Sequence, residues 1–232
     1  MTLDISELLE GNQSHVENFE GRFDDVQESQ SPDYVTVCCS DSRVLQDAAW
    51  SNSTPGKIFT CGNIGNRVAQ ETPKGEVVSG DVVYPLAHTD TGTAVVMGHT
   101  GCGAVTAAYN SITDGLDEDE PDGIEHSVSL IEHDLEEDVE RLPGDIDDDE
   151  AVNRLVERNV DTQVEKLMES EDVPDDVDVV GCVYDFQDVY SSQRGKIHVI
   201  NVNGDKDIES LRDDYPGIDD TDTVRRLTSP GQ

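Results

Sequence analysis

Residues 93–103 read TAVVMGHTGCG and residues 34–43 read YVTVCCSDSR. Each stretch is a short apolar run, rich in β-branched residues, that ends in a chemically loaded turn. Runs of this length and composition form buried strands. His99 and Cys102 therefore follow the end of one strand, and Cys39, Asp41 and Arg43 the end of another. A parallel α/β sheet gathers the loops at the carboxyl ends of its strands along one edge, so segments distant in sequence can meet there.

Outward from these two stretches the same alternation continues. Residues 57–61 read as a further strand, entered after Pro55-Gly56 and left through a glycine-rich turn at 62–66. Residues 177–184 and 196–203 close the sheet. Apolar residues at helical spacing predict helices over 5–19 (weakened by Gly11), 76–88, 104–111 and 151–168. Strands alternating with helices imply an α/β fold, a mostly parallel β-sheet flanked by helices. Residues 114–150 are a compositional break. Acidic runs at 117–120 and 147–150 frame apolar Ile124, Val128, Leu130, Ile131 and Leu135, which predicts a surface insertion carrying one amphipathic helix. The expected organisation is a single domain over 1–232, with an N-terminal helical arm at 1–28 and the acidic insertion at 114–150.

The chain carries 52 acidic against 15 basic residues, a formal net charge of −37. That field repels nucleic acid and anionic membranes, which argues against both as partners. A disordered acidic chain would share the charge, but runs such as TAVVM and KIHVINV belong in a core. Acidity spread along nearly the whole chain, with lysine only at Lys57, Lys74, Lys166, Lys196 and Lys206, reads as the surface of a halophilic protein. No run of about 18 apolar residues is present to span a membrane, and the opening MTLDISELLEG lacks a signal-peptide pattern. Five cysteines suit a reducing cytoplasm better than a disulfide framework, and read as metal ligands plus core residues.

Two thiolates and one imidazole are good zinc ligands, and three protein ligands leave a fourth position for water or substrate. C-x-D-S-R followed by H-x-x-C-G resembles the β-class carbonic anhydrase family. Leu8-Leu9-Glu10-Gly11-Asn12, Gln30-Ser31-Pro32, Gly181-Cys182-Val183-Tyr184-Asp185 and Gly195-Lys196-Ile197 agree with it, so the resemblance spans most of the chain except 114–150 and the tail after Gly204. The composition marks a haloarchaeal-type member. The resemblance implies Zn2+ held by Cys39, His99 and Cys102, and reversible hydration of carbon dioxide to bicarbonate with zinc-bound hydroxide as nucleophile. It implies an Asp41–Arg43 dyad, in which Arg43 holds Asp41 to accept a hydrogen bond from the nucleophile; released, Asp41 can instead ligate zinc and shut the site. It also implies substrate contacts from Gln30 and the Gly103 N–H, and a homodimer or larger homo-oligomer with the first helix packed on a partner.

The chain departs from the family pattern at Gly62, where a basic residue is usual, and at Thr36, where the self-regulating subgroup has an aromatic. Both departures argue against a second, allosteric bicarbonate site; Arg67 stands near enough to compensate for the first. Taken alone, Cys39 and Cys102 also read as buried thiols, His99 as a core histidine, Asp41–Arg43 as a structural ion pair and Gln30 as an ordinary polar residue before a turn. Cys38 alternates to the opposite strand face, and Cys61 and Cys182 read as core. Rival functions are a zinc hydrolase of carbon disulfide or carbonyl sulfide on the same fold, and a non-catalytic zinc- or bicarbonate-binding module. Two thiolates cancel the charge of zinc, so activity is expected to rise toward alkaline pH.

At molar salt the Debye length is about 3 Å and surface carboxylates hardly repel one another, whereas dilute buffer restores the repulsion. Circular dichroism should therefore show a fold that melts at progressively lower temperature as KCl is withdrawn. A melting temperature independent of salt contradicts this reading.

Overall fold

The structure, a computed structural model, describes residues 5–115, 120–215 and 223–228. Residues 1–4 of the arm, most of the 117–120 acidic run and part of the tail lie outside the described residues. Helix α1 (Ser6–Phe19) leads into strand β1 (Tyr34–Cys39), the short helix α2 (Gln46–Ala49) and strand β2 (Ile58–Asn63). Strands β3 (Ala69–Thr72) and β4 (Gly75–Val78) form an antiparallel pair ahead of helix α3 (Gly80–His88). Strand β5 (Thr93–His99) is followed by helices α4 (Gly103–Asp114), α5 (Asp122–Glu140) and α6 (Asp148–Glu169). Strands β6 (Asp178–Asp185) and β7 (Lys196–Val202) and helix α7 (Ile208–Asp214) complete the order.

The main sheet runs β2-β1-β5-β6-β7. Its first four strands are parallel, and β7 is an antiparallel edge. This is the expected mostly parallel α/β sheet flanked by helices. Strand alternation splits the apolar residues. Val35, Val37, Ala94 and Val96 join one core with residues of α3 to α6, whereas Cys38, Val95, Met97 and Cys182 form a second cluster on the other face with Val44.

Helix α6 lies against the sheet at a spacing that only glycine permits. A Cβ on Gly98 would stand 2.7 Å from Val160 Cγ2, and one on Gly181 would stand 2.8 Å from Val160 Cγ1. The two glycines sit on adjacent strands β5 and β6, so they form the bare patch on which Val156, Val160 and Val164 rest.

Two expectations are corrected. The stretch at 76–88 is not one helix, because Gly75–Val78 pairs with Ala69–Thr72 and α3 starts only after Ser79, whose hydroxyl accepts from the Asp81 N–H. The β-branched Val77 and Val78 favour the strand. Nor is the 114–150 stretch a surface appendage. It carries the expected amphipathic helix, but Val128, Ile131 and Leu135 of α5 are buried in the main core and the helix packs on α4 and α6. The acidic residues of α5 misled by composition; its apolar stripe decides the packing. The tail is also engaged. Val224 bridges Val199, and Arg226 reaches Asp161 at 2.7 Å from within the core.

Seating α6 on glycine makes a specific demand. Gly98→Ala or Gly181→Ala should each cost about 1–3 kcal/mol by overpacking. Gly80→Ala, with open space around it, should stay within about 0.5 kcal/mol of the parent. Denaturant unfolding in molar salt measures both, and a Gly98→Ala cost no larger than that of Gly80→Ala contradicts the packing account.

Candidate metal centre

Cys39 is the last residue of β1 and His99 the last of β5, two strands paired side by side. After His99 the chain turns through Thr100 and Gly101, and Cys102 caps the start of α4. Gly101 has φ +58°, the left-handed region in which a Cβ is costly. That turn folds Cys102 back beneath the strand end. The two sulfurs stand 3.9 Å apart, and the ligating atoms of Cys39, His99 and Cys102 all lie within 4.8 Å of one another. All three residues are buried.

The imidazole is oriented by its neighbour. His99 Nδ1 lies 3.0 Å from the Thr100 carbonyl oxygen, which assigns the ring proton to Nδ1. Nε2 is then a bare lone pair, buried and without a hydrogen-bond partner. An orphaned nitrogen in a closed pocket is costly unless something fills its place. Facing two sulfurs, it fits a metal ion, and this mixed sulfur–nitrogen set suits zinc. Among the described residues it is the one such cluster of candidate ligands.

Burial and partners separate the five free cysteines. Cys39 is pulled below the ordinary thiol range, chiefly by a hydrogen bond from the Cys102 thiol, with further help from the Gly65 N–H. Cys102 is pushed up, because the proton it shares with Cys39 resides there. A bound cation would take both sulfurs as thiolates and displace the proton they share. Burial pushes Cys38 up to about 12, Cys61 to about 11 and Cys182 well above the ordinary thiol range. These three are inert core thiols, as their strand positions predicted.

Asp41 and Arg43 stand at the mouth. Arg43 Nε donates to Asp41 Oδ1 at 2.9 Å and Nη2 to Oδ2 at 2.6 Å, while the Arg43 backbone N–H donates to Oδ1 at 2.9 Å. These bonds hold the Asp41 carboxyl well below the usual carboxylate range, so it is ionised throughout the neutral region. Asp41 Oδ2 is 3.8 Å from His99 Nε2, beside the fourth side of the ligand cluster. Arg43 also donates to the Gly101 carbonyl oxygen at 3.2 Å.

Two further candidates are placed differently. Gly103 opens α4 beside Cys102 and is exposed, with its N–H in the unpaired first turn. Gln30 is exposed and precedes β1 by four residues, at the opposite end of that strand from Cys39. The structure does not bring it to the site of its own chain. Arg67 is half-buried and binds the Ile64 carbonyl oxygen at 3.1 Å.

Sequence reasoning missed a third wall. The Phe186 ring stacks on His99 at 5.7 Å, and the Arg43 guanidinium lies 4.7 Å above it. The buried Asp185 carboxylate fixes this loop by accepting from the N–H groups of Gln187, Val189, Tyr190 and Ser191. An acidic residue at a strand end before a polar, serine-rich loop was the available signal.

The family model described as "Carbonic anhydrase" matches residues 34–191. A curated carbonic anhydrase of Emericella nidulans is 32% identical over 158 residues, covering 66% of this chain and 64% of that protein. Matches to the curated relatives span 35% to 64% of those proteins' lengths. Among solved structures, a Coccomyxa β-carbonic anhydrase in complex with acetazolamide superposes with a TM-score of 0.71 at 24% identity, covering 91% of this chain and 92% of that one. A structure from a study of two tetrameric β-carbonic anhydrases of Sordaria macrospora gives 0.68 at 20% identity, covering 84% of this chain and 94% of that one. The architecture is therefore the β-class fold, and with more than half its length matched by the family model, the chain belongs to the carbonic anhydrase family.

Proposed function

We infer that this protein catalyses the zinc-dependent, reversible hydration of carbon dioxide to bicarbonate and a proton. One observation carries the reading: a buried Cys39–His99–Cys102 cluster with a bare imidazole nitrogen, directly beside an aspartate held ionised by arginine. Cys39, His99 and Cys102 would hold zinc. When bound, zinc supplies a Lewis acid that lowers the pKa of water and so provides a nucleophile near neutral pH.

The remaining chemistry belongs to the chain's own residues. Asp41 stays ionised through its two side-chain bonds to Arg43 and accepts a hydrogen bond from the attacking water, which aims the oxygen lone pair at the carbon of CO2. Arg43 keeps Asp41 from swinging among the ligands. The Gly103 N–H, at the positive end of α4, is a donor for the developing bicarbonate oxygen. Gln30 can touch substrate only from a second copy of the chain. Such a copy also suits α1, which buries none of its residues and exposes Leu8 at 74% and Leu9 at 59%. A homo-oligomer assembled in high salt covers that apolar stripe. The acidic surface points to a halophilic protein. Five free cysteines, with no helix among the described residues long and apolar enough to cross a membrane, fit a cytoplasmic enzyme acting on a small molecule without nucleic acid or membrane partners.

Stopped-flow CO2 hydration in molar KCl tests the reading. The zinc-loaded protein should hydrate CO2 rapidly, Cys102→Ser should lose zinc and activity together, and Asp41→Asn should keep zinc while kcat falls on the order of 10²-fold. Two thiolates neutralise the metal, so the rate should climb with pH above about 7, the value for a site with neutral ligands. A folded, zinc-loaded protein without hydration activity, or a flat profile from pH 6 to 9, goes against it.

A further inference from the structure

Asn153 is buried on α6 and has no role of its own in the proposed chemistry. Its Nδ2 donates to the Asp149 carbonyl oxygen one turn back at 2.9 Å, which fixes the amide orientation and aims Oδ1 outward from the helix. Oδ1 accepts the Gly101 N–H at 2.9 Å. The opposite end of the turn is gripped as well, because Arg43 Nη2 donates to the Gly101 carbonyl oxygen at 3.2 Å. The same Nη2 donates to Asp41 Oδ2 at 2.6 Å. Gly101 is thus clamped between α6 and the dyad, and it lies in the turn between two metal ligands.

The clamp has a physical consequence. Arg43 is about half exposed and projects from a loop, with its guanidinium over the Phe186 ring at 4.7 Å, so its orientation is set mainly by its hydrogen bonds. Its hydrogen-bond partners among the described residues are Asp41, on the same loop, and the Gly101 carbonyl, on the turn that Asn153 anchors to a rigid helix. A Cβ on Gly101 would also lie 2.5 Å from Gln187 Oε1, so the turn has little room to drift toward the Phe186 loop. We propose that Asn153 is a positioning residue, which holds the Gly101 peptide so that Arg43, and through it Asp41, stands in the orientation the reaction needs. Hydrogen bonds fixed by a neighbouring rigid element commonly set active-site geometry in this way. The kinetic part rests on the proposed hydration reaction; the spectroscopic part does not.

The test compares Asn153→Ala, Arg43→Gln and the double variant, as full-length protein in molar KCl loaded with zinc or with cobalt. Asn153→Ala should retain one metal per chain, with kcat lower by about tenfold and KM within about twofold, because the ligands persist while the dyad is loosened. In the Arg43→Gln background the same change should matter less than twofold, since residues acting through one contact are non-additive. The visible spectrum of the cobalt form should shift in Asn153→Ala, in the sense seen for Arg43→Gln, and no further in the double variant. Multiplicative kinetic effects, an unchanged cobalt spectrum, or loss of metal along with activity each overturn the proposal. If Asn153→Ala does not fold, Asn153→Ser replaces it, being too short to reach Gly101 yet able to bond its own helix. If the parent hydrates no CO2, the cobalt spectra still decide the clamp.

Discussion

The close seating of α6 on β5 and β6 is the constraint on which the site depends. Gly98 and Gly181 leave the sheet bare, Val156, Val160 and Val164 fill the gap, and the helix comes near enough for its polar side chains to reach the loops at the sheet's edge. Asn153 takes the Gly101 N–H, Asn159 donates to the Gly65 carbonyl oxygen, and the Gln163 carbonyl accepts the Val68 N–H. One helix therefore satisfies backbone groups in both glycine-rich turns around the ligands. Buried backbone groups left unpaired would cost about 1–3 kcal/mol each, so these side chains stabilise the turns as well as shape them.

The five cysteines show how environment divides a single chemistry. Cys39 and Cys102 sit at strand and helix ends where N–H groups and each other stabilise a thiolate. Cys38, one residue from a ligand, points through the sheet into Met97 and Val44, and burial keeps its proton on. A one-residue change of strand face converts a metal ligand into packing.

Much of this was legible beforehand. The strands of 34–39 and 93–99 and the parallel order follow from apolar run length, and chemistry placed at strand ends brings Cys39, His99 and Cys102 together as the candidate ligand set that the family resemblance implies. Local signals failed where tertiary contacts decide. Strand β4 was hidden at the start of a helical pattern because Val77 and Val78 fit both. The role of α5 was masked by its acidic residues, since composition reports the solvent face while Ile131 and Leu135 report the core. Phe186 and Asn153 carry no motif. Each matters only because the fold brings it to His99 or Gly101 from a distant segment, and no pattern within one segment encodes that meeting.

The surface charge and the site answer different demands. On the proposed halophilic reading a surplus of carboxylates would keep the protein solvated in concentrated salt, while the candidate ligand cluster is buried at the sheet edge. The account turns on what that cluster holds, and X-ray absorption at the zinc edge reads it directly. The metal-loaded protein should be measured in a chloride-free molar potassium salt, because chlorine scatters much as sulfur does. The account predicts two sulfurs at about 2.3 Å, one imidazole nitrogen at about 2.0–2.1 Å and one further light ligand. A shell of four sulfurs, or one of oxygen and nitrogen alone, would contradict it.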